Sequence, residues 1–456
     1  MTILRTWTIF IALAGLFSVE SNYVYAQDFK AGAAKRDITP AEPIRLAGYA
    51  NRLTPSLGVA QSIFARALAL EDSTGNRNVL VTVELVGVTR ELTETLAERL
   101  RVQFGIERSR FMIVASHTHN GPTLHASIGG QLTLSPQETA VIQRHTEKIR
   151  EQIFEAVSEA LGKLQPARLS FGQGKAGFAM NRRIFSPTGV RFGANPDGLV
   201  DHSVPVLRAE TAEGEVRAVL FGYACHGTTL GGEYNQVGGD WPGYAQKYLE
   251  EAYPGAMALF VTGCGGDADP YPRRKTAYVA EHGLEVAGAV AAVFSRGLTP
   301  VRGALWSAFE RVSLDQAEPP TKEQWTQRLN EKDAAIQRHA RRNLEKLERG
   351  DKLRSSYDAP VQVWKFGNDL ILVGLSGEVV VDYALRLKRE LGANKLWVAA
   401  YANDVFAYIP SMRILHEGGY EADYSMYFYD FPTRWAPTVE DALVKAVHNL
   451  IARAEK

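Results

Sequence analysis

Short apolar runs rich in β-branched and aliphatic residues recur along this chain, with stretches of helical periodicity between them. That alternation is the strongest constraint on its fold. The strand-length runs fall at 65–70, 79–86, 111–115, 216–223, 256–262, 361–364, 370–375 and 396–400. Helical stretches cover 90–103, 136–164, 242–251, 276–294, 379–391 and 439–454. The pattern predicts an α/β fold with a mixed, substantially parallel sheet flanked by helices. Pro and Gly punctuate the runs without forming a linker, so residues 27–456 are expected to form one domain. Within it, 321–351 is dense in Lys, Arg, Glu, Asp and Gln. It reads as a charged helical insertion on the surface, with a lid as the alternative.

Arg5, the apolar stretch 7–19 and the small residues Val24 and Ala26 around Tyr25 have the layout of a secretory leader. Residues 1–26 are therefore expected to be a signal peptide, and the mature chain to be exported to a periplasm or secreted. No later segment reads as a membrane span. Formal net charge is +0, from 51 basic and 51 acidic residues, so nothing points to nucleic acid. The two cysteines, Cys225 and Cys264, are too few for a disulfide framework. One bridge or two buried thiols both remain open. His145, His339 and His448 stand in polar helical surroundings and read as solvated.

Chemistry-bearing residues gather where five of the strands end. Residues 111–115 run into Ser116-His117-Thr118-His119-Asn120-Gly121-Pro122, and 216–223 into Cys225-His226-Gly227-Thr228. The next runs end in Gly265-Gly266-Asp267-Ala268-Asp269-Pro270, in Ser376-Gly377-Glu378, and in Tyr401-Ala402-Asn403-Asp404 with Tyr408 close behind. Open α/β sheets bind ligands beyond the carboxyl ends of their strands. On extended backbone His117 and His119 share a face. With His226 and Glu378 they form a nitrogen and carboxylate set that suits zinc; calcium or magnesium would take oxygen alone.

At these residues the chain resembles the neutral, non-lysosomal ceramidases. The likeness runs through Ala33-Ala34-Lys35-Arg36-Asp37-Ile38-Thr39-Pro40, the His-Thr-His segment, Met180-Asn181-Arg182-Arg183 and Cys225-His226. It continues through Gly239-Asp240-Trp241-Pro242-Gly243, Gly377-Glu378 and the tyrosine-rich stretch 403–420. The resemblance implies one zinc ion per chain, held by His117, His226, Glu378 and Tyr408. It implies acid–base work for His119 and carbonyl or oxyanion contacts for Arg182 and Tyr420. The chain departs from the family motif at Asp269, where the motif carries a serine; there Asp269 is a second candidate proton carrier. A C-terminal β-sandwich, present in full-length members, is not expected here.

In function, the resemblance implies a zinc-dependent amidohydrolase that cleaves an N-acyl lipid such as ceramide, or a related N-acyl compound, with water activated by zinc. Its partners would be a lipid or small-molecule substrate, with peripheral contact to membrane lipid and no protein partner. A non-catalytic secreted protein that keeps the metal, and an esterase or phosphatase, remain open beside it.

Overall fold

The computed structural model describes residues 28–125 and 134–454, so the expected signal segment lies outside it. Among the described residues the largest sheet has nine strands. In spatial order eight of them are Met257–Thr262, Val216–Tyr223, Ser203–Glu210, Gln165–Lys175, Phe29–Asp37, Phe64–Asp72, Arg77–Val83 and Phe111–Ala115, and Thr299–Val301 pairs with Gln165–Lys175 off that path. The carboxyl ends of the two outermost strands meet where Thr262 Oγ1 donates to the Ala115 carbonyl at 2.7 Å. A second sheet contains Leu305–Asp315, Ser356–Phe366, Leu370–Leu375 and Leu396–Ala399.

The five strands that end in the motifs all lie in parallel pairs. Phe111–Ala115 runs parallel to Arg77–Val83, Val216–Tyr223 to Met257–Thr262, and Leu370–Leu375 to Leu396–Ala399. Parallel pairing keeps the carboxyl ends of a pair on one edge, so the motifs are delivered side by side. These strands are also deeply buried: each residue of Phe111–Ala115 is 0% exposed, as expected for a strand covered on both faces.

The parallel share is nonetheless smaller than the alternation predicted. Phe29–Asp37, Phe64–Asp72 and Arg77–Val83 pair antiparallel, as do Gln165–Lys175 and Ser203–Glu210. For Phe64–Asp72 and Arg77–Val83 the reason is connection length, because a short turn can join only antiparallel neighbours. After Phe64–Asp72 the chain reverses within a few residues, and the Asp72 carboxylate accepts from the backbone N–H groups of Thr74 and Asn76, each at 2.9 Å.

Helices cover the sheet. Pro136–Gly162 starts at a capping box in which Ser135 and Glu138 satisfy each other's backbone N–H. It lays Ile142, Ile149, Ile153 and Val157 on the strands Phe29–Asp37 and Phe64–Asp72. A Cβ at Gly32 would stand 2.1 Å from the Ala160 carbonyl oxygen, so this close seat requires glycine. Thr276–Arg296 is, contrary to expectation, long and apolar enough by length and composition to cross a membrane. One face of it packs on the core: Val279, Val286, Val290 and Val293 are buried, and Gly283 packs on Tyr244 and Ala245.

The charged insertion is a pair of helices, Lys322–Arg328 and Ala334–Glu348, closed over Trp325, Ala340 and Leu344. It is tied to the tyrosine-rich segment: Tyr424 donates to Asp333, and Lys346 meets Asp430 at 2.9 Å. His339 is therefore not solvated; it is fully buried, with Nε2 2.7 Å from the Phe431 carbonyl. His145 is also buried, on the inward stripe of its helix, whereas His448 is half-buried beside Glu390. Cys225 and Cys264 are buried free thiols.

Candidate active site

Backbone pairing brings the motif segments to one point. Beyond Ala115 the chain turns sharply, with His117 in the left-handed region at φ 57°. The two histidines of the His-Thr-His segment thus converge through a turn and not by the extended alternation expected of them. Thr118 then forms a parallel bridge with Gly227, and the His119 N–H donates to the Gly227 carbonyl at 3.1 Å. A Cβ at Gly227 would lie 2.8 Å from the His117 carbonyl oxygen, so only glycine lets these segments run so close. On the opposite side Glu378 and Tyr408 are direct partners in a parallel two-stranded pairing.

Each of two imidazoles has one nitrogen pinned and the other turned inward. His117 Nδ1 lies 2.5 Å from the Val86 carbonyl, and His226 Nδ1 lies 2.8 Å from the Gly265 carbonyl. Since a carbonyl only accepts, Nδ1 is the protonated nitrogen in both rings, and Nε2 presents a lone pair. His117 Nε2 is 3.1 Å and His226 Nε2 3.3 Å from the same oxygen, Glu378 Oε2. The Tyr408 hydroxyl is 3.1 Å from His226 Nε2, and His119 Nε2 is 3.1 Å from His117 Nε2. Four donors around one zinc at about 2.0–2.2 Å stand roughly 3.3 Å apart in a tetrahedron, so this spacing fits an ion at the common centre. The nitrogens of His117, His119 and His226 lie within 4.8 Å of one another. The carbonyl anchors are the outer shell that metal-bound imidazoles use.

The electrostatics agree. Burial, reinforced by Arg182, lowers the His226 pKa to about 4, and burial with the neighbouring imidazoles holds His119 well below the ordinary histidine range. Burial alone would raise Glu378, but His117 and His226 outweigh it and hold the carboxyl well below its usual range. Burial pushes the Tyr408, Tyr401 and Tyr429 phenols well above the ordinary value. Inward-facing imidazole nitrogens, a carboxylate and a phenol oxygen together make a cluster suited to a cation.

Residues that sequence reasoning missed complete the surroundings. Tyr429 donates to Glu378 Oε1, and the Tyr401 hydroxyl lies 3.4 Å from Oε2. Arg182 is buried and donates to Glu421 at 2.9 Å and to the Tyr408 hydroxyl at 3.0 Å. Asp269 accepts from Arg182, Thr228 and Arg273. Burial would raise its pKa, but Arg273 and Arg182 hold it well below the usual carboxylate range. With both oxygens engaged, it suits holding guanidinium groups better than carrying a proton. Asn181 turns away from the centre and donates to Asp267 and the Leu199 carbonyl, both at 3.0 Å. Tyr420 stands beside the centre, its ring 5.3 Å from that of Tyr408.

His117, His119, Glu378 and Tyr408 line a small cavity of about 40 Å³. Next to it opens a groove of about 1310 Å³, shared by His119, Arg182, Tyr408 and Tyr420 and walled by Tyr49, Phe192 and Phe428 among others.

Residues 29–296 match the family model for the neutral/alkaline non-lysosomal ceramidase N-terminal region. The chain belongs to this family. Among its relatives, neutral ceramidase B of Dictyostelium discoideum is 27% identical over 268 residues, 54% of this chain and 36% of that protein. The neutral ceramidase of Pseudomonas aeruginosa is 26% identical over 258 residues, covering 53% of this chain and 37% of the relative. The matched segments thus span little more than a third of these relatives' own length. In fold the ceramidase likeness extends further. The crystal structure of the Pseudomonas aeruginosa neutral ceramidase aligns over 93% of this chain and 74% of its own, with a TM-score of 0.71 at 20% identity. A ceramidase structure described as complexed with C2 aligns over 94% and 75%, with a TM-score of 0.72 at 19% identity.

Proposed function

We propose that this chain is an exported, zinc-dependent amidohydrolase that cleaves an N-acyl lipid such as ceramide, or a related N-acyl compound. The observation that carries this reading is the convergence of two carbonyl-anchored imidazoles, one carboxylate and one phenol beside a large groove that the phenol helps to line. In it His117, His226, Glu378 and Tyr408 hold a single zinc ion. When bound there, zinc supplies a polarised carbonyl and a water acidic enough to yield hydroxide near neutral pH.

His119 is the proton carrier. Its Nδ1 is buried without a partner, unlike the pinned Nδ1 of His117 and His226, so the ring lacks the outer-shell anchor of a ligand. It also faces the groove, where a scissile amide would lie. A neutral imidazole there accepts a proton from water and returns it to the departing amine nitrogen. Tyr420, at the groove wall, offers its hydroxyl to the oxygen that gains charge, and Arg182 supports that charge from behind Tyr408. The apolar and aromatic walls suit an acyl chain. The leader-like N-terminus supports export.

The test is turnover of a panel of N-acyl substrates, ceramide included, before and after chelation and on adding zinc back. Activity lost with the metal and restored by zinc is the expected result. Full turnover in metal-free protein would end the proposal, as would stoichiometric zinc with no turnover of any N-acyl substrate.

A further inference from the structure

Arg182 Nη1 has two acceptors. It lies 3.1 Å from His226 Nε2 and 3.4 Å from Asp269 Oδ1. The first acceptor is the nitrogen that the Gly265 carbonyl leaves free on His226, the one that faces the centre. A guanidinium proton directed at that lone pair competes with any cation for it, and Arg cannot surrender its charge. The rest of the guanidinium is fixed: Nε is held by Glu421 at 2.9 Å, and Nη2 by the Tyr408 hydroxyl at 3.0 Å. Only the Nη1 contact has an alternative.

Asp269 supplies it. The carboxylate is 5% exposed and held from both sides, with Oδ1 accepting from Thr228 Oγ1 at 3.0 Å and Oδ2 accepting from Arg273. It sits at the point where the chain departs from the family motif. We propose that Asp269 is a positioning residue that draws the Arg182 guanidinium off His226 Nε2 and so releases that nitrogen to hold the metal. The inference rests on the zinc reading above and adds a determinant of affinity to it. A charge-assisted bond to a carboxylate is stronger than one to a neutral imidazole, so the guanidinium has an acceptor to move to once the imidazole is taken.

The test is the zinc dissociation constant of the apoprotein, measured by competition with a chromophoric chelator. Asp269→Asn and Asp269→Ser are expected to weaken zinc binding roughly 10–100-fold, the range seen when an outer-shell partner is lost. In an Arg182→Gln background the competitor is gone, and Asp269→Asn should then change affinity less than about 3-fold. Asp269→Asn without effect overturns the inference. So does an equal loss in both backgrounds, because the carboxylate would then act through its own charge. Should the Asp269 variants fail to fold, Arg182→Gln alone decides. It should bind zinc at least as tightly as the parent, and weaker binding overturns the inference. A parent protein that takes up no zinc overturns the proposed function and this inference with it. Parent affinity unmatched by any Asp269 effect overturns only the inference.

Discussion

His117 Nε2 and Glu378 Oε2 lie 3.1 Å apart, both almost fully buried, although they come from different sheets and opposite halves of the chain. Such a contact between a lone pair and an ionised carboxylate is unfavourable unless a proton or a cation lies between them. The pair is therefore expected to be sensitive to loss of either member. His117→Ala and His226→Ala should each lose zinc by more than about 100-fold in affinity, beyond the range typical of an outer-shell partner. Turnover should fall in parallel. Metal content by mass spectrometry, read beside activity, checks this; a variant that retains stoichiometric zinc refutes the ligand assignment.

The two phenols on the Glu378 side should behave differently. Tyr408 shares the centre with His226, while Tyr429 only donates to the outer oxygen of Glu378. Tyr429→Phe should cost roughly 10–100-fold in zinc affinity, and Tyr408→Phe more. The reverse order in a chelator titration would make Tyr408 a support and not a ligand.

The five motif strands and most of the helices were legible because their apolar periodicity is strong and their ends carry punctuation. Phe111–Ala115, Val216–Tyr223 and Leu370–Leu375 have the predicted bounds. The antiparallel strands Phe29–Asp37, Gln165–Lys175 and Leu305–Asp315 were not read, since Lys, Arg, Gln and Gly interrupt their apolar pattern. These strands are held by cross-strand pairing, which a local window does not contain. Within the site, His117, His226 and Glu378 were readable because each follows a strand. Tyr429, Glu421 and Arg273 were not, because they lie in irregular segments with no apolar periodicity to read. His339 reads as solvated for a different reason: its neighbours along the helix are charged, but its ring is buried against Trp325 and Tyr427.

That burial gives a pH dependence of known sign. Desolvation lowers the His339 and His145 pKa values to about 4, below the ordinary 6.5. The folded state keeps both rings neutral while the unfolded chain binds protons below about 6.5. Stability is therefore full above that pH and declines as pH falls toward 4. Urea denaturation at a series of pH values should show this slope, shallower in His339→Gln. An unchanged slope in the variant would mean that His339 contributes none of it.

His119 should separate from the ligands by experiment. If it carries the proton, His119→Gln should keep near-parent zinc content while kcat falls roughly 10²–10⁴-fold. If it is instead a ligand, metal and activity should leave together. The unpartnered Nδ1 and the groove-facing position favour the first outcome.

Phe192 offers a test of what the groove receives. It lies on the strand Gly189–Asn195, 54% exposed, with its ring 4.7 Å from Tyr420 and the Arg182 guanidinium 4.9 Å away. Its cross-strand partner is Arg183, so by the twofold alternation of strands Phe192 shares a face with Phe185 and Val190, which pair with each other further out. Beside Arg183, that face carries three apolar side chains in succession outward from Phe192. An acyl chain lying on it would cover the exposed half of the Phe192 ring, worth about 1 kcal/mol. Phe192→Ser should then raise KM for a long-chain N-acyl substrate about 5-fold with kcat little changed. An N-acetyl substrate, too short to reach the ring, should show no shift. Equal effects on both substrates would mean that Phe192 acts by seating Tyr420 and Arg182, and that the hydrocarbon chain leaves the groove elsewhere.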